Sequence, residues 1–229
     1  METIEVNKEF EIRDDFSSPE LEKHWTTQRI LPGDFSIKDG ALKITLNPGD
    51  MVEAESERAE ISLSEESISP GTEVWYRFSI FIPEDFQINN NRLVIAQWKQ
   101  PSDEDQSSDS PFLSYRYQDG MIIAQVIVNE SDDGSEDKSV KRKFKSPELE
   151  RGIWHEIKTN YSLDDQNNGR CKFIIDGQII GEYEGKMGYK HLPKTKRYFK
   201  MGLYRDRQDY SQTISFSKFR RGPQEDSTP

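Results

Sequence analysis

The chain has 229 residues, of which 33% are hydrophobic, 11% aromatic and 32% charged, and its formal net charge is −11. This length allows one medium-sized domain with a substantial core, and the aromatic content argues against intrinsic disorder. The acidic balance excludes general binding to nucleic acid or to anionic membranes, so a polyanionic ligand would need a local cationic site.

Apolar and polar residues alternate with a period of two along most of the chain, which predicts β-strands and not helices. The one short helix that the pattern indicates covers residues 17–25. The predicted strands, in chain order, are Lys8–Ile12, Phe35–Ile37, Ala41–Leu46, Arg58–Leu63, Val74–Ile82, Leu93–Lys99, Phe112–Tyr117, Met121–Val128, Val140–Lys145, Trp154–Tyr161, Cys171–Asp176, Ile179–Tyr183, Tyr198–Arg205 and Thr213–Phe219.

Three links between these strands contain an Asp-Gly pair, which is the strongest short-range signal of a β-hairpin. The pairs are Asp39-Gly40, Asp119-Gly120 and Asp176-Gly177. Many short strands joined by such turns predict an all-β fold, either a sandwich or a jelly roll. No linker divides the chain, so we expect a single domain over residues 1–229 with its core at about residues 8–221.

Four of the predicted strands carry a distinctive polar set on the face that points away from the core. The set comprises Arg58, Glu60, Gln97, Lys99, Ser114, Arg116, Lys200 and Tyr204. It contains four cations and one carboxylate in an acidic protein. Lysine and arginine also occur on the exposed face of ordinary sheets, so a purely structural interpretation stays open. The functional interpretation is a basic groove for an anionic sugar polymer.

Six sequence strings, taken in order, resemble the polysaccharide lyases of the glucuronan-lyase and heparin-lyase-I type. The strings are SERAEI (56–61), VWYRFSIFIPEDF (74–86), IAQWK (95–99), GIWHEIK (152–158), FIIDGQIIGEY (173–183) and RYFKMGLYRD (197–206). The resemblance implies a β-jelly roll, a two-sheet antiparallel sandwich of the lectin-like kind, with a cleft across its concave sheet. It also implies an enzyme that cleaves a uronic-acid polymer by β-elimination. A glucuronan-like chain is the first candidate, with alginate or a glycosaminoglycan as alternatives.

The resemblance assigns catalytic roles to three residues. Gln97 and Tyr204 match the cleft glutamine and tyrosine of glucuronan lyases, and Lys200 matches the lysine of a Lys-x-x-x-Tyr pair in heparin lyases. In this chemistry the site must stabilise the charge that develops on the uronate carboxylate when the C5 proton leaves. Tyr204 could then act as base or acid, with Lys200 or Lys99 as the rival base. The residues expected to bind substrate are Arg58, Glu60, Lys99, Ser114, Arg116, Arg205 and His191.

The chain departs from related lyases at histidine and at one strand. Some relatives have a cleft histidine, for which His191 is the candidate here, whereas His155 alternates with apolar residues and is expected to be structural. The pair Lys99 and Ser114-x-Arg116 is similar to alginate lyases, but Gln125 and Ile127 stand where that resemblance implies paired tyrosines. The substrate is therefore left open. A carbohydrate-binding module and a glycoside hydrolase on the same sandwich are the alternatives from other classes.

The remaining expectations concern cofactors, partners and location. No cofactor is expected to be required. Residues 102–110 are interpreted as a solvated loop; Asp103, Asp105, Ser107 and Asp109 leave a structural calcium ion as the alternative, although the glycine and the closing glutamate of an EF-hand are absent. We expect a monomer that binds an anionic polysaccharide. The start, METIEVNKEF, lacks the apolar stretch of a signal peptide. Because such an enzyme must meet its polymer outside the cytoplasm, we expect an extracellular or periplasmic protein from which the signal has been removed.

Overall fold

The computed structural model describes residues 11–28, 34–53, 55–64, 66–101, 110–129, 139–164, 168–189 and 195–225. Within these ranges the chain forms seventeen strands joined by turns and loops. In chain order they are β1 (Ile12–Asp14), β2 (Trp25–Gln28), β3 (Phe35–Lys38), β4 (Ala41–Leu46), β5 (Met51–Glu53), β6 (Ser56–Leu63), β7 (Glu66–Ser67), β8 (Val74–Phe81), β9 (Leu93–Lys99), β10 (Leu113–Gln118), β11 (Met121–Asn129), β12 (Ser139–Glu148), β13 (Trp154–Ser162), β14 (Gly169–Ile175), β15 (Gln178–Gly185), β16 (Lys196–Asp206) and β17 (Gln212–Gly222).

The strands pair antiparallel in two sheets. The back sheet has the order β15-β14-β13-β8-β17-β4-β3, with β1 also paired to β17. The front sheet has the order β12-β11-β10-β9-β16-β6-β2, with β5 paired to β6 and β7 to β16. The inner faces of the two sheets enclose one apolar core. This architecture confirms the predicted all-β jelly roll.

The three Asp-Gly pairs form the tight turns that the sequence predicts. Both residues of each pair have positive φ, for example 53° at Asp39 and 74° at Gly40. This backbone geometry matches the twist of the flanking strands, and it connects β3 to β4, β10 to β11 and β14 to β15.

The predicted helix at residues 17–25 is wrong. Residues 17–24 form bends and a turn, and Trp25 begins β2. The Trp25 indole is buried, donates a hydrogen bond to Asp14 Oδ2 at 2.8 Å, and packs edge-on against Phe219 at 4.8 Å between ring centroids. Tertiary packing therefore overrides the local helical pattern. None of the described residues forms a helix that is long and apolar enough to cross a membrane.

Aromatic side chains form the centre of the core. Trp98 of the front sheet lies 5.4 Å from Tyr76 of the back sheet and 4.9 Å from Phe199, measured between ring centroids. All three side chains are at most 1% exposed. Trp98 and Phe199 come from β9 and β16, and their strand neighbours point out through the other face of the front sheet. The aromatic core thus fixes the two strands that carry most of the predicted catalytic residues.

An irregularity in β9 changes which residues face outward. The pairing of β9 with both of its neighbours shifts at Ile95, so that Ile95 and Ala96 both pack in the core. Val94 pairs with Tyr204 on one side and Arg116 on the other, and it therefore lies on their face. Simple alternation along the predicted strand Leu93–Lys99 places Val94 inside and Ile95 outside; both placements are wrong, because a β-bulge interrupts the period of two.

Candidate active site

Most of the predicted site residues lie together on the outer face of the front sheet. One row runs across five strands, because residues that pair directly across antiparallel strands project from the same face. The members of the row, in strand order, are Ser62, Lys200, Gln97, Ser114 and Gln125. Gln97, Ser114 and Lys200 are only 3–5% exposed, which is typical of the floor of a cleft and unlike an open sheet face.

A second row lies on the same face, separated from the first on β6 and β16 by the pair Glu60 and Gly202. It contains Arg58, Tyr204, Val94, Arg116 and Ile123 on successive strands. Neighbouring strands are about 4.8 Å apart, so a sugar unit that contacts Tyr204 is within reach of both arginines. The front sheet therefore brings together the tyrosine, the lysine, the glutamine and the arginines that the sequence predicted to act together.

Glu60 lies beneath this surface and holds two of its members. The carboxylate is fully buried, and Oε1 accepts a hydrogen bond from Gln97 Nε2 at 2.5 Å. Its other oxygen lies 3.1 Å from Arg58 Nε. Because both oxygens of this covered carboxylate face protein groups, the prediction that Glu60 binds substrate is corrected. Glu60 instead orients Gln97 and Arg58.

Tyr204 lies between two guanidinium groups. The Cζ atoms of Arg58 and Arg92 are 4.3 Å and 4.5 Å from the centroid of its ring. Arg92 Nη1 also donates a hydrogen bond to the Tyr204 hydroxyl at 3.3 Å. Asp206 holds Arg92 through contacts of 2.8 Å to Nε and 2.7 Å to Nη2. The phenol is thus held by two cations that pack against its ring.

Lys200 occupies a place where its charge is disfavoured. The pKa of its amine is lowered to about 8, mainly by burial; Glu60 opposes this shift, and the nearby cations Arg58 and Lys99 contribute to it. A lysine with such a pKa has a substantial neutral fraction in mildly alkaline solution and can accept a proton. Lys200 therefore has the protonation behaviour expected of a general base.

The cationic surface extends beyond the predicted residues. Burial and the neighbouring Arg92 lower the pKa of Arg116, and burial together with Arg116, Lys143 and Arg92 lowers the pKa of Lys141. Arg92, Lys141 and Lys143 were not predicted as site residues from the sequence. Phe144 of β12 packs against the core, so the alternation of the strand places Lys141 and Lys143 on the outer face. This alternation is present in the sequence and could have identified both lysines.

Other predicted residues lie elsewhere. Arg205 is 1% exposed on the inner face, where it pairs with the fully buried Glu57 at 2.7 Å, so its predicted contact with substrate is corrected. His155 is buried between Asp176 Oδ2 at 2.7 Å and the Glu150 carbonyl at 2.6 Å, as a structural histidine would be. His191 lies outside the described residues, as does the acidic stretch at 102–109.

A two-sheet jelly roll with a tyrosine, a lysine, a glutamine and several arginines on one face is compatible with the class of polysaccharide lyases. The comparison with family models leads to the same class: the polysaccharide lyase model matches residues 15–220. The chain belongs to the polysaccharide lyase family and is an enzyme of that class. No curated protein matches the chain in sequence.

Several solved structures share the fold. The endo-β-1,4-glucuronan lyase of the fungus Trichoderma reesei is 16% identical with a TM-score of 0.64, covering 94% of this chain and 95% of that chain. The family 7 alginate lyase A1-II′ is 18% identical with a TM-score of 0.60, covering 90% and 93%. A laminarinase from Flavobacterium sp. UMI-01 is 11% identical with a TM-score of 0.62, covering 92% and 98%. At these identities the likeness concerns the fold alone.

Proposed function

We propose that this enzyme cleaves a uronic-acid polymer by β-elimination and that a glucuronan-like chain is its substrate. The observation that carries the proposal is the position of Tyr204 between Arg58 and Arg92, beside the row that contains Lys200 and Gln97. This arrangement places proton-transfer groups next to donors for a carboxylate. It gathers positive charge on one face of a protein whose net charge is −11.

The first requirement of the reaction is to stabilise the uronate carboxylate. Loss of the C5 proton places further negative charge on this group, so fixed donors stabilise the transition state more than the ground state. Gln97 has a second amide hydrogen besides the one that Glu60 accepts, and Arg58 has further donors beyond the Nε that faces Glu60. Because Glu60 fixes both residues from below, these donors are oriented before substrate arrives.

The second requirement is proton transfer at C5 and at the departing O4. We assign Tyr204 to proton transfer, because its oxygen accepts a hydrogen bond from Arg92 and its own proton is left for the substrate. Lys200 is the rival for removal of the C5 proton, since its pKa of about 8 allows a neutral amine. Substitution distinguishes the two assignments, because kcat should fall steeply when the hydroxyl of Tyr204 is removed only if Tyr204 transfers the proton.

The choice of polymer is supported by two lines of argument. Gln97 and Tyr204 match the motif of glucuronan lyases, and the glucuronan lyase of Trichoderma reesei shares the fold over nearly the whole chain. The surface formed by Arg58, Arg92, Arg116 and Lys141 would also suit other uronates, and the A1-II′ structure is an alginate lyase. We therefore rank glucuronan first and alginate and glycosaminoglycans after it.

The test is to mix the protein with glucuronan, alginate, a glycosaminoglycan and a neutral β-glucan and to follow two signals. β-Elimination creates a C4–C5 double bond that absorbs in the ultraviolet, whereas hydrolysis releases reducing ends without this absorbance. We expect absorbance with a uronan and none with the neutral glucan. Tyr204→Phe, which removes only the hydroxyl, should reduce kcat by ~10²–10⁴-fold while polymer binding persists.

Three results would contradict parts of the proposal. Reducing ends without absorbance would indicate a hydrolase. Cleavage of alginate in preference to glucuronan would correct the substrate but not the reaction. Near wild-type turnover by Tyr204→Phe would remove Tyr204 from proton transfer and leave Lys200 or Lys99 as the base.

A further inference from the structure

Arg92 contacts Tyr204 but is contained in neither the sequence strings nor the predicted outer faces. It immediately precedes β9, and its side chain is 30% exposed. Its guanidinium divides its donors between two partners. Nε and Nη2 bind Asp206, and Nη1 donates to the Tyr204 hydroxyl.

The position of Asp206 explains why this geometry is fixed. Asp206 is the last residue of β16, two residues after Tyr204, so both side chains leave the strand on the same face. The Asp206 amide donates to the Arg92 carbonyl at 3.2 Å, which ties the two chain segments together. A planar guanidinium bound at one edge by a carboxylate presents its remaining donor in one direction.

The hydrogen bond also determines what the tyrosine can do. Because the phenol oxygen accepts from Arg92, its hydroxyl hydrogen is directed away from Arg92. The packing of Arg92 and Arg58 against the ring limits displacement of the whole side chain. A phenol that transfers a proton must stay within hydrogen-bond reach of the reacting atom, so this restraint bears directly on rate.

We propose that Arg92, held by Asp206, is a positioning residue that orients the Tyr204 hydroxyl for proton transfer. The inference rests on the proposed role of Tyr204. Arg92 acts through the tyrosine and not as a contact for the polymer. Its loss should therefore reduce turnover and leave affinity for the polymer unchanged.

The first experiment separates turnover from binding. Arg92→Gln should reduce kcat by about 10²-fold, the effect of a misplacement of about 1 Å, with KM within a factor of two or three. Arg92→Lys should recover part of the loss, because a cation is restored without the planar fork. Affinity is measured in the Tyr204→Phe background, in which the polymer is bound but cleaved slowly. Tyr204→Phe and the double variant Arg92→Gln/Tyr204→Phe should bind the polymer with equal affinity. Arg77→Gln is the matched control, because Arg77 forms a similarly exposed ion pair with Glu156 on the back sheet.

The second experiment does not depend on activity. A crystal structure of Arg92→Gln should show the Tyr204 ring displaced or in several conformers, whereas Arg77→Gln should leave it unchanged. If Arg92→Gln leaves both kcat and the ring unchanged, the proposal fails. It also fails if the double variant binds the polymer at least tenfold more weakly than Tyr204→Phe alone, which would make Arg92 a substrate contact. Absence of cleavage by the wild type would instead reject the proposed function, and the ring position would still decide the role of Arg92.

Discussion

Gln97 and Glu60 form a polar contact of 2.5 Å from Nε2 to Oε1, and the carboxylate that accepts it is fully buried. Glu60→Gln removes the negative charge that Arg58 faces. It also places the amide of the new glutamine against the amide of Gln97, so that Gln97 is no longer held in one orientation. We expect a loss of about 10²-fold in kcat, because donors for the uronate carboxylate lose their fixed positions. Steady-state kinetics on a cleaved uronan measure this effect.

The matched control is Glu156→Gln, which neutralises a partly exposed carboxylate on the back sheet. It should leave kcat unchanged. Thermal unfolding of both variants distinguishes a local change from a loss of the fold. A Glu60→Gln enzyme with normal kcat and normal stability would show that Glu60 has no orienting role.

Lys200 makes stability depend on pH. Its pKa is about 8 in the folded protein, below its usual 10.5, so the unfolded chain binds more protons between these values. The contribution of this group to the free energy of unfolding therefore rises as pH increases from about 8 to about 10.5, and below pH 8 its charge penalises the folded state. Lys200→Met should raise stability at pH 7 and flatten this rise.

Denaturant unfolding at pH 7, 8, 9 and 10 measures the difference between wild type and Lys200→Met. Lys172→Met serves as a control, because Lys172 is exposed and its pKa is raised by Glu182. An unchanged pH dependence in Lys200→Met would mean that the lysine keeps an ordinary pKa. The proposed role as a general base would then lose its physical support.

The buried pair of Glu57 and Arg205 predicts a variant that loses stability without losing chemistry. Arg205 also donates to Gln212 Oε1 at 2.9 Å and to the Tyr210 carbonyl at 2.7 Å, so the guanidinium is fully engaged on the inner face. Glu57→Gln leaves a buried cation without its counter-charge and should cost about 3–5 kcal/mol. Asp15→Asn, at an exposed pair with Arg220, should cost at most about 1 kcal/mol.

Urea unfolding gives these two values, and kcat measured well below the transition should be normal for Glu57→Gln. A stable Glu57→Gln protein would contradict the importance of the buried pair. A stable but inactive one would return Arg205 to the list of residues that serve the reaction.

Gly202 is the position on β16 where a side chain cannot be accommodated. Its φ is +145°, and a Cβ would lie 2.3 Å from the Ala59 carbonyl oxygen and 2.7 Å from Glu60 Cα. Both obstacles are backbone atoms, so Gly202→Ala should destabilise the fold by at least about 2 kcal/mol and displace Glu60. Gly49→Ala is the control, since Gly49 has a φ of +91° with no atom within 4 Å. Thermal unfolding should show a clearly larger loss for Gly202→Ala than for Gly49→Ala, and equal losses would contradict the steric argument.

Much of the fold could be predicted from the sequence, because alternation and turn chemistry are local properties. The Asp-Gly turns and the strands around them are confirmed within a few residues. The short strands β2, β5 and β7 were missed, since two to four residues are too few to establish a period. Trp25 shows most clearly what local patterns cannot predict, because its strand depends on packing against Phe219 and on a hydrogen bond to Asp14.

The site residues could be predicted wherever the alternation of the sequence correctly predicted which side chains face outward from a strand. On β16 the alternation is regular, and the outward positions of Lys200 and Tyr204 agree with the prediction. The same alternation places Arg205 inside, and its proximity to Tyr204 along the chain was misleading. The alternation predicts that Glu60 points outward, but it does not predict that Glu60 is buried. The burial depends on side chains such as Gln97 that are distant in sequence.

The bulge at Ile95 has a consequence for the whole active site. Arg92 and Gln97 are five positions apart, an odd separation, so a regular strand would send their side chains to opposite sides of the sheet. The bulge reverses the parity, and both side chains reach the face where Tyr204 lies. The same residues in a regular strand, without the bulge, would turn Arg92 to the core side and leave the tyrosine with one flanking cation. The irregular register of β9 is therefore as much a part of the active site as any side chain on it.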